Sequence, residues 1–109
     1  MVRRAPEVVG LTLARRVVLR PEAEDDALDV RRWYESRREG LGREFGAAVD
    51  ALIARIVANP LTFQRAHGET RRAVLAQFPY AIYFRVTDEE IVVLAIHGRQ
   101  DPSRWRSRS

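Results

Sequence analysis

The chain has 109 residues, enough for one domain with one core and too few for two. It contains no cysteine, which excludes disulfides and thiolate metal sites, and its 19 basic residues are all arginine, which excludes chemistry that needs a lysine amine. A net charge of +4 fits a nucleic-acid or acidic-protein partner, although an ordinary soluble basic surface gives the same number. No stretch approaches the roughly 18 apolar residues of a membrane span, and the first residues lack the apolar region and cleavage site of a signal peptide. A cytoplasmic location is therefore expected, and the absence of cysteine suits a reducing compartment.

Residues 1–14 show no clear period and contain Pro6 and Gly10. They read as a flexible arm preceding a single domain over 15–106. Arg15-Arg16-Val17-Val18-Leu19-Arg20 reads as a short strand. Pro21, with Glu22, Glu24, Asp25 and Asp26, opens a helix, because proline is tolerated in a first turn and acids there complement the helix dipole. Ala23, Ala27, Val30 and Tyr34 follow at helical spacing, and Gly40 and Gly42 break the helix near Glu39. A second helix is predicted over 43–58, where Phe45, Val49, Leu52, Ile53 and Ile56 give the strongest period in the chain, and Asn59-Pro60 ends it. Two helices joined by a short glycine turn predict an antiparallel hairpin with one apolar face.

Residues 61–71 read as a polar connection, and 72–77, 80–86 and 91–97 as three strands. Thr87-Asp88-Glu89-Glu90 is the turn between the last two. In the middle strand Ile82, Phe84 and Val86 alternate with Ala81, Tyr83 and Arg85. Period two puts these sets on opposite faces, so the hairpin covers the first and Tyr83 and Arg85 face the other side. The last strand is apolar on both faces, which predicts a central position. Asp101-Pro102-Ser103-Arg104-Trp105 reads as a short terminal helix with a capping acid and proline at its start. The expected fold class is α+β. It has an antiparallel sheet with an N-terminal strand, a helical hairpin on one face, a three-stranded meander and a short C-terminal helix.

The local wording adds to the element order. Val18-x-Leu-x-Pro-Glu-Ala-Glu opens the first helix, Trp33-Tyr34-Glu35 follows, and Gly40-Leu41-Gly42-x-x-Phe45 starts the second. Asn59-Pro60 closes it, Arg71-Arg72-Ala73 enters the meander, and Phe78-Pro79-Tyr80-Ala81-Ile82-Tyr83-Phe84-Arg85-Val86 continues it. Ile96-His97-Gly98-Arg99-Gln100-Asp101-Pro102-x-x-Trp105 ends the set. No single piece is specific, but the ordered set over residues 15–106 resembles the RelE/ParE toxins of type II toxin–antitoxin systems, also described as plasmid-stabilisation toxins. The resemblance implies a toxin held inactive by a co-expressed antitoxin, with no cofactor. It also implies one of two activities on one fold. RelE-like members cut messenger RNA in the ribosome, and ParE-like members poison DNA gyrase without nuclease chemistry. A partner-binding remnant without toxicity is a third reading.

Were the chain an enzyme, it would be a metal-independent endoribonuclease. Such cleavage needs a base for the 2′-hydroxyl, cations for the phosphorane and an acid for the leaving oxygen. The candidates are Arg85, His97 and Arg99, with Arg65, His67, Arg71 and Arg72 in reserve. Each has a plainer role. His97 would tie down the C-terminal segment, Arg85 would pair with a carboxylate such as Asp101, and His67 is a solvated loop residue. RelE-like nucleases carry several basic residues in the meander and an aromatic or tyrosine near the C-terminus. Arg71, Arg72 and Arg85 match the first part, but the terminal aromatic is Trp105, which has no titratable group and serves to stack on a base or to pack. That departure favours the gyrase-directed, ParE-like branch. Arg65, Arg71, Arg72 and Trp105 are then target-binding candidates, and Arg31, Arg32, Arg37 and Arg38, with an exposed sheet edge, suit an acidic antitoxin. His67 and His97 lack the paired spacing of a metal site, and the Glu22/Glu24/Asp25/Asp26 cluster reads as a solvated helix start.

Overall fold

The computed structural model describes residues 15–98 and the backbone of Val2–Arg3. In chain order these form β1 (Val2–Arg3), β2 (Arg16–Leu19), α1 (Pro21–Arg37), α2 (Leu41–Ala58), a 3-10 turn (Pro60–Thr62), β3 (Arg65–His67), β4 (Thr70–Val74), β5 (Tyr80–Val86) and β6 (Glu90–Gly98). The strands form one sheet in the order β1-β2-β6-β5-β4-β3. The α1–α2 hairpin covers one face, and Phe45, Val49, Leu52 and Ile56 of α2 meet Ile82, Phe84, Ile91, Val93 and Ile96 of the sheet.

Several expectations are refined. The sheet is mixed, because β2 runs parallel to β6 with Val17 opposite Ile91, whereas the β3–β4–β5–β6 part is antiparallel throughout. The reason is connectivity. The meander strands are joined by tight turns that force reversal, but the whole helical hairpin and meander separate β2 from β6, which leaves room for a parallel crossover. The supposed polar connection contains β3, turned back onto β4 through Gly68 at φ 56. The first meander strand stops at Val74, because the chain folds into a turn in which Leu75 donates to the Tyr80 carbonyl at 3.0 Å. The arm is not wholly separate, since Val2–Arg3 adds an antiparallel edge strand to β2. The terminal helix at 101–105 lies outside the described residues.

The central place of β6 follows the expectation, with a cause that alternation alone did not reveal. Tyr83 is opposite Ala95 and Phe84 opposite Val93, so Leu94 is an extra, bulged residue. The bulge lets Leu94 and Ala95 both join Ala81 and Tyr83 in a second buried cluster, distinct from the core beneath the hairpin. Tyr83 does point away from the helices as its register requires, but it is only 1% exposed. The reverse side of the sheet is thus a packed surface flanked by arginines, not an open basic plain.

The hairpin turn depends on glycine in two different ways. Gly40 has φ 87, a left-handed conformation that side chains with a Cβ adopt at a cost. Gly42 was expected to help break the chain, yet it lies inside α2 and is buried. A Cβ there would stand 2.7 Å from the Arg31 carbonyl oxygen and 2.9 Å from Glu35 Oε1, so the glycine lets α1 and α2 approach. At Gly46 a Cβ would meet only the Arg31 guanidinium, at 3.2 Å from Cζ, which is the mobile end of a long side chain. Gly42→Ala is therefore expected to destabilise by about 1–3 kcal/mol through overpacking against backbone. Gly46→Ala is expected to be neutral or stabilising by up to about 1 kcal/mol through helix propensity. Urea unfolding of the two variants separates these outcomes, and equal losses would contradict the close approach at Gly42.

Candidate functional site

The structure separates the residues proposed for acid–base chemistry. Arg85 is opposite Val92 and His97 is opposite Ala81, at the two ends of the β5–β6 ladder. His97 lies five positions along β6 from Val92, a span of roughly 15 Å at strand rise. His97 is 5% exposed, and its Nε2 lies 3.2 Å from Asp26 Oδ2 of α1. The same carboxylate oxygen accepts the Ile96 N–H at 3.0 Å. The cause is local. β2 ends opposite Val93, so among the described residues the β6 edge beyond it has no neighbouring strand, and α1 brings Asp26 to that edge. His97 joins a helix to a strand edge, and the C-terminal segment it was expected to tie down lies outside the described residues. Arg99 and Trp105 lie outside the described residues.

The reserve candidates are scattered. Arg65 sits on edge strand β3 with its Nη2 3.8 Å from Glu69 Oε1. Arg71 lies on the hairpin side opposite Phe84 and donates to the carbonyl of Phe63 at 2.7 Å, which pins the loop before β3. His67 is exposed and engaged. Arg72 is opposite Tyr83, so it shares the reverse face with Arg85. Its Nε is buried without a hydrogen-bond partner among the described residues. Arg72 and Arg85, two positions apart across the β4–β5 pair, are two candidate arginines that the sheet brings to one surface.

On α1 the four proposed partner-binding arginines divide. Arg37 stacks its Cζ 4.4 Å above the Trp33 ring, and Arg38 Nη2 lies 3.3 Å from Glu44 Oε2. Arg31 and Arg32 instead line an open groove with Leu28, Glu35, Gly42 and Arg43. Arg43 was missed by the sequence reading, and so were Glu35 and Asp26. Arg43 lies where a register-only reading sees the start of a helix. The positions of Glu35 and Asp26 depend on how the hairpin folds back, and no short motif records that.

Glu35 ties the turn together. Its Oε2 accepts the Gly40 N–H and its Oε1 the Gly42 N–H, both at 3.0 Å. These backbone donors, and secondarily the Arg43 and Arg31 charges, hold its carboxyl below the usual value of 4.5. A depressed carboxylate contributes stability that is present above its unfolded pKa and lost as pH falls through the folded one. The stability difference between the wild type and Glu35→Gln is thus expected at neutral pH and should shrink on acidification below the ordinary glutamate range. Paired urea titrations check this, and a difference that persists unchanged at pH 2 would contradict it.

A strand, a helical hairpin and an antiparallel meander, with arginines on the reverse face and along the hairpin, define a RelE/ParE-type toxin fold. The comparison with solved structures agrees. The chain resembles one from the chromosomal ParDE toxin–antitoxin system of P. aeruginosa with a TM-score of 0.68 at 16% identity, over 75% of this chain and 92% of that one. It resembles one from the toxin–antitoxin complex RelBE2 of Mycobacterium tuberculosis with a TM-score of 0.57 at 16% identity, over 80% of this chain and all of that one. The model for the ParE toxin of the type II toxin–antitoxin system parDE matches residues 17–102. Toxin ParE2 of Mycobacterium tuberculosis is 30% identical over 93 residues, 84% of this chain and 89% of that protein. The chain belongs to the ParE toxin family of type II toxin–antitoxin systems.

Proposed function

We propose that this toxin inhibits DNA gyrase by binding it, and is neutralised by a co-encoded antitoxin. The observation that carries the reading is the placement of His97. It is buried against Asp26, about five residues along β6 from the position opposite Arg85. A group held on a helix-to-strand anchor is poorly placed to pass protons to a phosphate bound by Arg85, so the separation favours binding over nuclease chemistry. Arg72 and Arg85 supply the target contact on the reverse face, where two guanidiniums suit a carboxylate or phosphate of the target. Family membership supports the toxin role, and the charge of +4 supports an acidic antitoxin. The single domain over 15–106, placed in the cytoplasm, is the unit that acts.

Induction in a bacterial host, with and without the co-encoded antitoxin, tests this. The expected result is growth arrest relieved by the antitoxin, a DNA-damage response, and unchanged message ends. New ends within translated messages would replace the reading with ribosome-dependent mRNA cleavage. Harmless overexpression without antitoxin would point to a partner-binding remnant. The double variant Arg72→Ala/Arg85→Ala is expected to reduce the arrest while still binding the antitoxin. Full toxicity in that variant would remove the reverse-face contact.

A further inference from the structure

The hairpin covers one face of the sheet, yet the reverse face is also sealed over part of its length. Ala81 and Tyr83 of β5 and Leu94 and Ala95 of β6 are each at most 1% exposed. A tyrosine ring and a leucine at a sheet surface need a layer of side chains above them to lose contact with water. The described apolar residues packed against them, Ala66 and Val92, are only partly buried themselves and too small to supply that layer. Tyr83 and Leu94 are both engaged. The sealing is uneven. It extends to His97 at the end where β6 runs out, and it fades toward the other end, where Arg85, its partner Val92 and Val18 of β2 are only partly buried. Residues 4–14 and 99–109 are the stretches long enough to supply the missing layer, and their points of attachment differ. Arg3 lies opposite Val17 and Arg16 opposite Glu90, so residues 4–14 join the sheet at its partly open end. Gly98, opposite Tyr80, opens 99–109 at the sealed end, beside Ala81. The gradient of burial follows the second stretch.

We infer that residues 99–109 fold back over the reverse face and seat Trp105 on the cluster of Ala81, Tyr83, Leu94 and Ala95. Trp105 is the only large apolar side chain in that stretch, which otherwise includes four arginines. It stands seven positions beyond Gly98, about 23 Å of extended chain, so it meets the cluster only where the chain turns back. Asp101-Pro102 supplies the turn signal. An indole buries about 150–250 Å², which suits a patch of one ring and three aliphatic side chains, and the flanking Arg104 and Arg106 keep the rim of the cover in water. The inference stands apart from the gyrase reading, but it bounds the surface offered to any target. The cover stops short of Arg85 and borders Arg72, whose Nε is buried, so the accessible part of the reverse face is its Arg85 end.

The chain has no cysteine, so Ala95→Cys places a single thiol beneath the inferred cover. Its reaction with a small thiol reagent is measured in the full-length folded protein, and again with Trp105→Ala added. The thiol is expected to be protected in the first and to react about tenfold faster or more in the second, because only local opening exposes it while the cover is seated. Trp105→Phe, which keeps a ring, should stay near the protected rate, and Val74→Cys, exposed on β4, gives the unprotected one. Thermal melts establish that the variants fold. A rate for Ala95→Cys that Trp105→Ala leaves unchanged overturns the assignment and hands the face to residues 4–14. A second measurement needs no cysteine. In Trp33→Phe, at a half-exposed position of α1, Trp105 is the sole tryptophan. Its emission is expected to be blue-shifted and to resist acrylamide quenching until urea unfolds the chain. Emission and quenching equal to those of the unfolded chain would overturn the inference.

Discussion

Replacing Phe45 with alanine is expected to cost about 3–5 kcal/mol, a large share of the roughly 5–15 kcal/mol that holds a domain of this size together. Phe45 is fully buried in α2 and lies in an aromatic cluster that spans three parts of the chain. Its ring stacks on Tyr34 of α1 at 5.6 Å between centroids and meets Phe78 edge-on at 5.3 Å and Tyr80 of β5 at 5.7 Å. Tyr34 in turn meets Phe78 at 4.9 Å. Truncation removes the transfer free energy of the ring, leaves a cavity that the neighbours cannot close, and ends ring–ring contacts worth about 0.5–1.5 kcal/mol each. Phe45→Leu, which keeps most of the volume, should lose far less. Urea unfolding measures both, and a loss below about 1 kcal/mol for Phe45→Ala would mean that the hairpin is not docked through this ring.

The second large effect is expected at Asp26. Asp26→Ala should destabilise by about 2–4 kcal/mol, because it strands the Ile96 N–H and leaves buried His97 facing a gap where the carboxylate stood. Asp26 is 11% exposed and His97 5%, so water does not readily replace what is removed. Asp26→Asn retains an amide oxygen for the Ile96 N–H and should cost less than alanine. Amide hydrogen exchange localises the effect, with faster exchange expected at Ile96 and along the β6 edge beyond Val93. Unchanged exchange there, with unchanged stability, would show that α1 does not depend on this anchor. Because the pair joins a helix to a strand edge, His97→Ala should lower stability more than it lowers any activity measured per folded molecule.

The elements with strong periods were legible in the sequence. The α2 period at Phe45, Val49, Leu52, Ile53 and Ile56 gives the buried face the structure shows, and 80–86 matches β5 at both ends. Alternation at Ile82 and Tyr83 assigned faces correctly, because period two is a geometric consequence of the extended chain. The parallel β2–β6 pair was not legible, since strand polarity across a long connection is fixed by packing and leaves no local trace. Gly42 misled for a related reason. A glycine that ends a helix and a glycine that lets two helices touch are the same letter, and only the Arg31 carbonyl 2.7 Å from the missing Cβ tells them apart.

The site divides along the same line. Alternation placed Arg85 on the face away from the hairpin, but that Arg72 shares this face follows from its pairing with Tyr83, which no local pattern records. The strand assignment put Arg85 and His97 near the ends of adjacent strands, but antiparallel pairing sends them to opposite ends of the ladder. Arg37 and Arg38 looked available because nothing in a linear pattern shows Trp33 or Glu44 engaging them. Arg43 looked ordinary because its neighbour across the groove, Arg31, is twelve residues away and on another helix.

The central claim is that the folded chain acts on gyrase by binding. A supercoiling assay tests it most directly, with purified gyrase, relaxed plasmid and increasing amounts of the toxin alone or premixed with its antitoxin. Loss of supercoiling that depends on toxin concentration, reversal by the antitoxin, and weakened inhibition by Arg72→Ala/Arg85→Ala are the expected results. Normal supercoiling at saturating folded toxin would contradict the claim.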